Sequence, residues 1–384
     1  MSAPARRRLR IAQVAPLCES VPPKLYGGTE RIVAYLTEEL IRRGHEVTLF
    51  ASGDSTAAAP IVAGYPAALR LSGLAPWANA LQLPMLSEVF ENAHRFDVIH
   101  CHLDYWSFPF ARMVTTPTVT TLHGRLDIPE LYGVYRHYSG IPVVSISDAQ
   151  RKPLPELNWM DTVHHGLPAA QLRFNPGQGS YLAFLGRIAP EKRPDLAIAI
   201  ARRVGLPLKI AAKVDAADRE YFEHHIRPLL DGGGVEFIGE ITEQEKSDFL
   251  GNALALLFPI DWPEPFGLVM IEAMACGTPV IARPCGAVPE VLREGITGYT
   301  ASTVEDLAQA VRRVSAISRR DCRAEFDRRF TAEVMAANYE RIYYRLCDER
   351  LPGGRRVDGL GRGLAEEVLG REPSEGWRAN VETA

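Results

Sequence analysis

Two carboxylates stand out for where the chain puts them. In the segment DWPEPFGLVMIEAMACGTP, Asp261 to Pro279, Glu264 and Glu272 are separated by seven residues. Prolines on either side, Pro263 and Pro265, keep Glu264 out of a helix. From Gly267 the run turns apolar and helical, and it stops near Cys276, with Gly277 and Pro279 behind it. Glu264 is therefore expected in the loop ahead of a helix N-terminus, and Glu272 in the second turn of that helix. The helical neighbours of Glu272 are Leu268, Val269, Ala275 and Cys276, and none of them can pair with a charge. Something polar must meet it from elsewhere, either a hydroxyl-bearing ligand or an Arg of another element. Free backbone N–H groups around Phe266 to Val269 face the same loop and form an anion site. A solvated surface helix is the competing reading, but this helix is apolar nearly all round.

Two cations come next. In FLGRIAPEKRP, Phe184 to Pro194, Arg187 falls just past a strand and Lys192 just before a helix. An Arg fork and a Lys point charge at that edge of a sheet suit a diphosphate. In KLYGGTERI, Gly27 and Gly28 precede a helix, where a ligand can approach the backbone closely. They do not form a GxGxxG fingerprint. In TLHGRLD, His123 ends a strand ahead of Gly124, so it either faces a cleft or is a packed structural histidine. His100, His102, His164 and His165 also end strand-like runs. His100 and His102 share one face of a strand, but no third ligand is well spaced, so no metal site is expected. Gly286, in CGAVPE, is another candidate for a ligand-facing turn.

The elements that must position these residues alternate between short β-branched runs and helical patterns, which predicts parallel sheets covered by helices. Strands are expected at Arg10–Pro16, His45–Ser52, Phe96–His102, Thr118–Leu122, Pro142–Ser147 and Asp161–His164. A helix is expected from about Thr29 to Arg43, and the stretch Ala57 to Leu83 reads as loop with one short helix at most. Gly, Pro, Asn and Gln cluster at Gln171 to Ser180 and mark a seam. A second series follows, with strands at Tyr181–Gly186, Leu208–Lys213, Val235–Gly239, Ala253–Phe258, Pro279–Arg283 and Gly298–Ala301. Helices are expected at Asp195–Val204 and, last, at Thr331–Glu349. Beyond Leu351 the composition suits a mobile tail.

Composition narrows the function classes. The chain has 384 residues and a net charge of −4, which argues against a broad basic field for nucleic acid. No apolar run approaches the ~18 residues of a membrane span, and no signal peptide follows the basic start. Six cysteines without a CxxC pair suit a reducing cytoplasm rather than disulfides or zinc. Only six of the basic residues are Lys.

From about Arg10 to Leu346 the chain resembles retaining glycosyltransferases of family 4, the glycosyl transferases of group 1 with the GT-B fold. The resemblance is most specific in PEPFGLVMIEAMACGTPVIA. FLGRIAPEKRPDLAI, FIGEI and GGTERIVAYLTEELIRRGHEVTLF agree with it. It implies an α/β protein of two Rossmann-like, doubly wound domains facing a cleft. With the seam, that gives 1–172 on the acceptor side, 173–350 with the terminal helix on the donor side, and 351–384 as the tail. The implied reaction is metal-independent transfer, with retention, of a hexose from a UDP- or GDP-sugar to a hydroxyl acceptor. No cofactor is implied beyond that nucleotide-sugar co-substrate, and the Arg bias and the cysteine pattern lead us to expect a bacterial cytoplasm.

The resemblance also assigns residues. Arg187 and Lys192 would hold the diphosphate, Glu272 the ribose hydroxyls, and Glu264 would face the donor sugar. The backbone of Phe266, Gly267 and Leu268 would touch sugar and phosphate. Gly27 and Gly28 would approach the donor from the N-terminal side, and His123 would meet the sugar near its reacting end. The acceptor could be a glycan, a lipid-linked sugar or a small metabolite, which leaves room for peripheral membrane contact but not for nucleic acid. Two segments depart from the family pattern. His165-Gly166 replaces a frequent Asn-Gly, and AAKVDA replaces a Gly-rich turn, so that Lys213 either adds a charge or is merely exposed. Alternatives are another GT-B enzyme (a phosphorylase or sugar-nucleotide epimerase), a nicotinamide dehydrogenase, which lacks its glycine fingerprint here, and an inactive sugar-nucleotide-binding protein.

Overall fold

The computed structural model describes residues 7–25 and 27–349. The expected tail lies outside the described residues. Seven strands form a first sheet: β1 (Arg10–Val14), β2 (Glu46–Ser52), β3 (Ile61–Tyr65), β4 (Val98–Cys101), β5 (Thr118–Thr121), β6 (Val143–Ser145) and β7 (Trp159–Thr162). Six form a second: β8 (Tyr181–Arg187), β9 (Leu208–Lys213), β10 (Val235–Gly239), β11 (Ala253–Phe258), β12 (Val280–Ala282) and β13 (Gly298–Thr300).

The first sheet runs β3-β2-β1-β4-β5-β6-β7 and the second β10-β9-β8-β11-β12-β13, and every pairing is parallel. The strand order reverses between β1 and β4 in one sheet and between β8 and β11 in the other. In open α/β sheets such switch points open a crevice at the strands' carboxyl ends. The central strands are apolar on both faces because helices cover both sides, and β1, β4, β8 and β11 are largely buried. The two Rossmann-like sheets expected from the sequence are what the chain forms.

One expectation fails. The stretch Ala57 to Leu83, read as loop, contains the edge strand β3 before its short helix at Ala78–Leu81. IVAGY is short, lies between Pro60 and Pro66, and is only partly buried, so its local pattern is weak. Pairing with β2 supplies the order that the sequence does not signal.

The terminal helix, Ala332–Asp348, follows the second sheet in sequence but packs against the first. Tyr343 bonds to Gln13 of β1, Tyr339 to Thr121 of β5, and Glu340 to His45. One continuous apolar cluster consequently includes Ile11 and Val33 with Phe266, Met270, Tyr339 and Tyr343.

Candidate active site

A cleft of about 740 Å³ opens at the carboxyl ends of both sheets, and it is lined by residues of both. That volume is within the usual range for a small-molecule site. Gly27, Gly28, His123, Arg187, Lys192, Glu264, Phe266, Gly267, Leu268 and Glu272 all line it. The structure thus brings every residue singled out for donor binding or catalysis to one cavity.

The glutamate helix runs Leu268–Ala275, and Gly267 caps it in the left-handed conformation at φ +86°. A side chain there would be strained by the backbone and would meet Met270 and Phe258. Glu272 is 2% exposed, as an apolar helix surrounded by core requires. Its Oε1 accepts from Lys246 Nζ at 2.7 Å and from Arg31 at 3.4 Å. Burial alone would raise its pKa, but the charges of Lys246 and Arg31 outweigh that and hold it below the usual carboxylate range. Glu243 completes a box of two cations and two acids, at 2.7 Å from Arg31 and 2.6 Å from Lys246. Both readings of Glu272 therefore keep a footing: an Arg of another element does reach it, and its Oε2 is enclosed without a hydrogen-bond partner among the described residues.

Glu264 precedes the helix, as expected. Its Oε2 accepts from Lys192 Nζ at 2.5 Å and from Trp262 Nε1 at 2.9 Å. Lys192 also lies 4.6 Å from the centre of the Trp262 ring. Gly286 corrects another expectation, because it faces the backbone behind Glu264 and does not line the cleft. A Cβ on it would come within 2.3 Å of the Glu264 carbonyl oxygen, so only glycine allows that loop to pack where it does.

Arg187 is the last residue of β8 rather than just beyond it. It is held by Glu191 at 2.5 Å and Asp218 at 2.6 Å. Lys213 is partly buried beside Asp215 at 2.9 Å, not exposed. The cations at the cleft are thus already matched by carboxylates, and an incoming anion must share them or displace a partner.

Gly28 opens the first helix, Gly28–Arg42, and a Cβ on it would face Leu268 at 3.6 Å. His123 follows β5 and hydrogen-bonds to His102 at 2.9 Å. Burial drives its pKa down to about 3, so it is neutral near pH 7. His165 stacks on it at 5.3 Å, and Phe266 meets His165 edge-on at 5.0 Å. Asp104 accepts the His123 backbone N–H at 3.3 Å, and burial raises its carboxyl pKa to about 6.

Sequence reading missed Arg31 and Lys246 as partners of Glu272, Glu243 as the second acid that shares them, and His102 and His165 as partners of His123. GGTERI did hold a signal in Arg31, a cation at the start of an amphipathic helix. The described residues contain no group of three or more His, Cys, Asp or Glu placed to hold a metal ion. None of their helices is long and apolar enough to cross a membrane.

Comparison with known proteins agrees with this geometry. The family described as Glycosyltransferase Family 4 matches residues 26–164, and Glycosyl transferases group 1 matches residues 172–330. A phosphatidyl-myo-inositol mannosyltransferase of Mycobacterium leprae is 26% identical over 87% of this chain and 96% of its own length. A D-inositol 3-phosphate glycosyltransferase of Mycolicibacterium smegmatis is 25% identical over 86% of this chain and 90% of its own. Among solved structures, AviGT4, a glycosyltransferase involved in avilamycin A biosynthesis, superposes with a TM-score of 0.67 at 23% identity, covering 88% of this chain and 98% of that one. Anabaena HepE in complex with UDP and glucose gives 0.68 at 17% identity, over 88% and 100%. With both halves matched in order and two Rossmann-like sheets enclosing one cleft, the chain belongs to the family 4, group 1 glycosyltransferases of the GT-B fold.

Proposed function

We propose that the chain transfers a hexose, with retention and without a metal ion, from a nucleoside-diphosphate sugar to a hydroxyl acceptor. The observation that carries this reading is the meeting of Glu264, Glu272, Arg187 and Lys192 in one cleft of suitable volume. Glu272 takes the ribose hydroxyls, one of which satisfies its unmatched Oε2. Arg187, Lys192 and the backbone N–H groups at the glutamate helix N-terminus take the diphosphate. They stabilise the negative charge that grows on the leaving group as the glycosidic bond breaks, which is the work a metal would otherwise do. Glu264 stays tied to Lys192 and faces the donor sugar, and Gly28 lets the donor pass close to the first helix. Neutral His123 offers the sugar a hydrogen bond. The acceptor attacks from the face the diphosphate leaves, and a leaving phosphate oxygen takes its proton.

Relatives named for a mannosyl transfer to phosphatidyl-myo-inositol and for D-inositol 3-phosphate make inositol-bearing acceptors the first to test. HepE holds UDP and glucose, so UDP-glucose belongs in the donor panel beside GDP-mannose. A thermal-shift panel of nucleotide sugars identifies the donor, because a ligand of the folded form raises Tm. Product NMR then reads the anomeric configuration, with and without excess chelator. An inverted product, or turnover lost to chelator and restored by magnesium, overturns the corresponding part of the proposal.

A further inference from the structure

His123 is the near end of a buried chain of hydrogen bonds. Its Nε2 lies 2.9 Å from His102 Nδ1, and His102 Nε2 lies 2.9 Å from Gln13 Oε1. The Gln13 amide nitrogen reaches the Tyr343 hydroxyl at 3.1 Å and His100 Nδ1 at 3.5 Å. The Tyr343 hydroxyl is 2.7 Å from His100 Nδ1, and His100 Nε2 is 2.7 Å from Thr121 Oγ1. Thr121 in turn meets the Tyr339 hydroxyl at 2.9 Å. Gln13, His100, Thr121, Tyr339 and Tyr343 have no exposed surface, so their protons must be placed within the chain.

Those placements have a direction. Burial holds His100, His102 and His123 neutral, so each ring carries one N–H. The Gln13 amide nitrogen has two hydrogens. It faces Tyr343, whose phenol oxygen accepts one of them, while the Gln13 carbonyl oxygen faces His102 Nε2. With the Gln13 carbonyl toward His102, that ring donates from Nε2 and accepts at Nδ1. His123 must then donate from Nε2, which leaves its Nδ1 bare. That nitrogen hydrogen-bonds to no described residue, on a side chain that lines the cleft.

We propose that Gln13 and His102 are positioning residues that lock His123 in the Nε2-protonated tautomer, so that bare Nδ1 is a fixed acceptor for a hydroxyl of the sugar in the cleft. The part of this that concerns the sugar rests on the cleft being the donor site, as proposed above. An acceptor-only atom discriminates. It binds a free hydroxyl and rejects a sugar whose oxygen at that position is an ether.

The test uses the full chain labelled with 15N-histidine, and long-range proton–nitrogen correlation near neutral pH. His123 is assigned by the signals lost in His123→Asn. The wild type should show His123 with protonated Nε2 and bare Nδ1. Gln13→Met keeps the length but removes the amide, and both tautomers should then appear at His123. kcat/KM for the donor should fall about two- to tenfold, the lower bound being a halved competent fraction. Tyr343→Phe removes one amide acceptor while keeping the ring. It should shift the tautomer in the same direction and keeps the test decisive if Gln13→Met does not fold. A proton on Nδ1 of wild-type His123, or a tautomer unmoved in the folded variants, overturns the lock. A tautomer that shifts while kcat/KM holds leaves the lock standing and removes His123 from the sugar.

Discussion

Replacing each glutamate by glutamine should separate ground-state binding from turnover. Glu272 is fixed on a buried helix by Lys246 and Arg31, and the contact proposed for it with ribose hydroxyls would change little as the sugar departs. A hydrogen bond to a charged group contributes about 1.5–3 kcal/mol. At about 1.4 kcal/mol per tenfold, Glu272→Gln should raise the donor KM roughly 10- to 150-fold with a smaller change in kcat. Glu264 holds Lys192 at 2.5 Å, and the proposed reaction breaks its bond beside that pair. Glu264→Gln should therefore act mainly on kcat, by about 10²-fold, the low end for one transition-state contact. Stability needs a separate check, since Glu272→Gln leaves buried Arg31 and Lys246 facing Glu243 alone. Breaking such a pairing costs about 3 kcal/mol. Because the folded-state pKa of Glu272 is depressed, the wild type holds this advantage above about pH 4.3 and loses it as pH falls further. The melting-temperature gap between wild type and Glu272→Gln should close in acid. Steady-state kinetics on folded variants decide the matter: the opposite pattern, or equal effects in both, refutes the division of roles.

Arg187 is shared between Glu191 and Asp218, so Asp218→Asn should release it and tighten nucleoside-diphosphate binding by about 1.5- to 5-fold, the range for a partly exposed pair; weaker binding by calorimetry would count against the diphosphate role. Burial, with the neighbouring Glu19 charge adding to it, raises the Glu30 pKa to about 7, so the folded state binds a proton that the unfolded chain releases near pH 4. Stability should fall as pH rises from about 4 through 7, and Glu30→Gln should gain on the order of 3 kcal/mol over wild type at pH 8 but little at pH 4, read from denaturant melts. Gly286→Ala meets both a backbone at φ +56° and the Glu264 carbonyl, so it should cost about 1–3 kcal/mol and lower kcat by displacing Glu264. Wild-type Tm and turnover in that variant would show the close approach to be dispensable.

The sequence exposes most of the scaffold because parallel strands buried on both faces leave unmistakable apolar runs, as at β8, β9 and β11. It shows Glu272 as a carboxylate with no local partner, which is why a distant partner had to exist. It does not identify that partner, since Arg31 lies 241 positions away and only the closing of the two halves brings them together. Likewise His123 can be placed at a strand end, while His102 and Gln13 behind it read only as alternating strand residues. Edge strand β3 is illegible for the opposite reason: its order comes from a neighbour rather than from its own residues.

Synthesis of the chain runs from one end, and the terminal helix gives that fact weight. The first sheet emerges from the ribosome long before Tyr339 and Tyr343, yet the Gln13–Tyr343 bond spans 330 positions. Until that helix arrives, Gln13, His100 and Thr121 lack the hydroxyls that neighbour them in the finished protein, and the apolar face that the helix covers is open. Domains ordinarily fold as units in the order they are made. Here the half made first is finished by the segment made last of those described, so a nascent or truncated first half presents a wet, unsealed core to the cell. Its quality control would therefore see an incomplete protein until translation has reached the final helix.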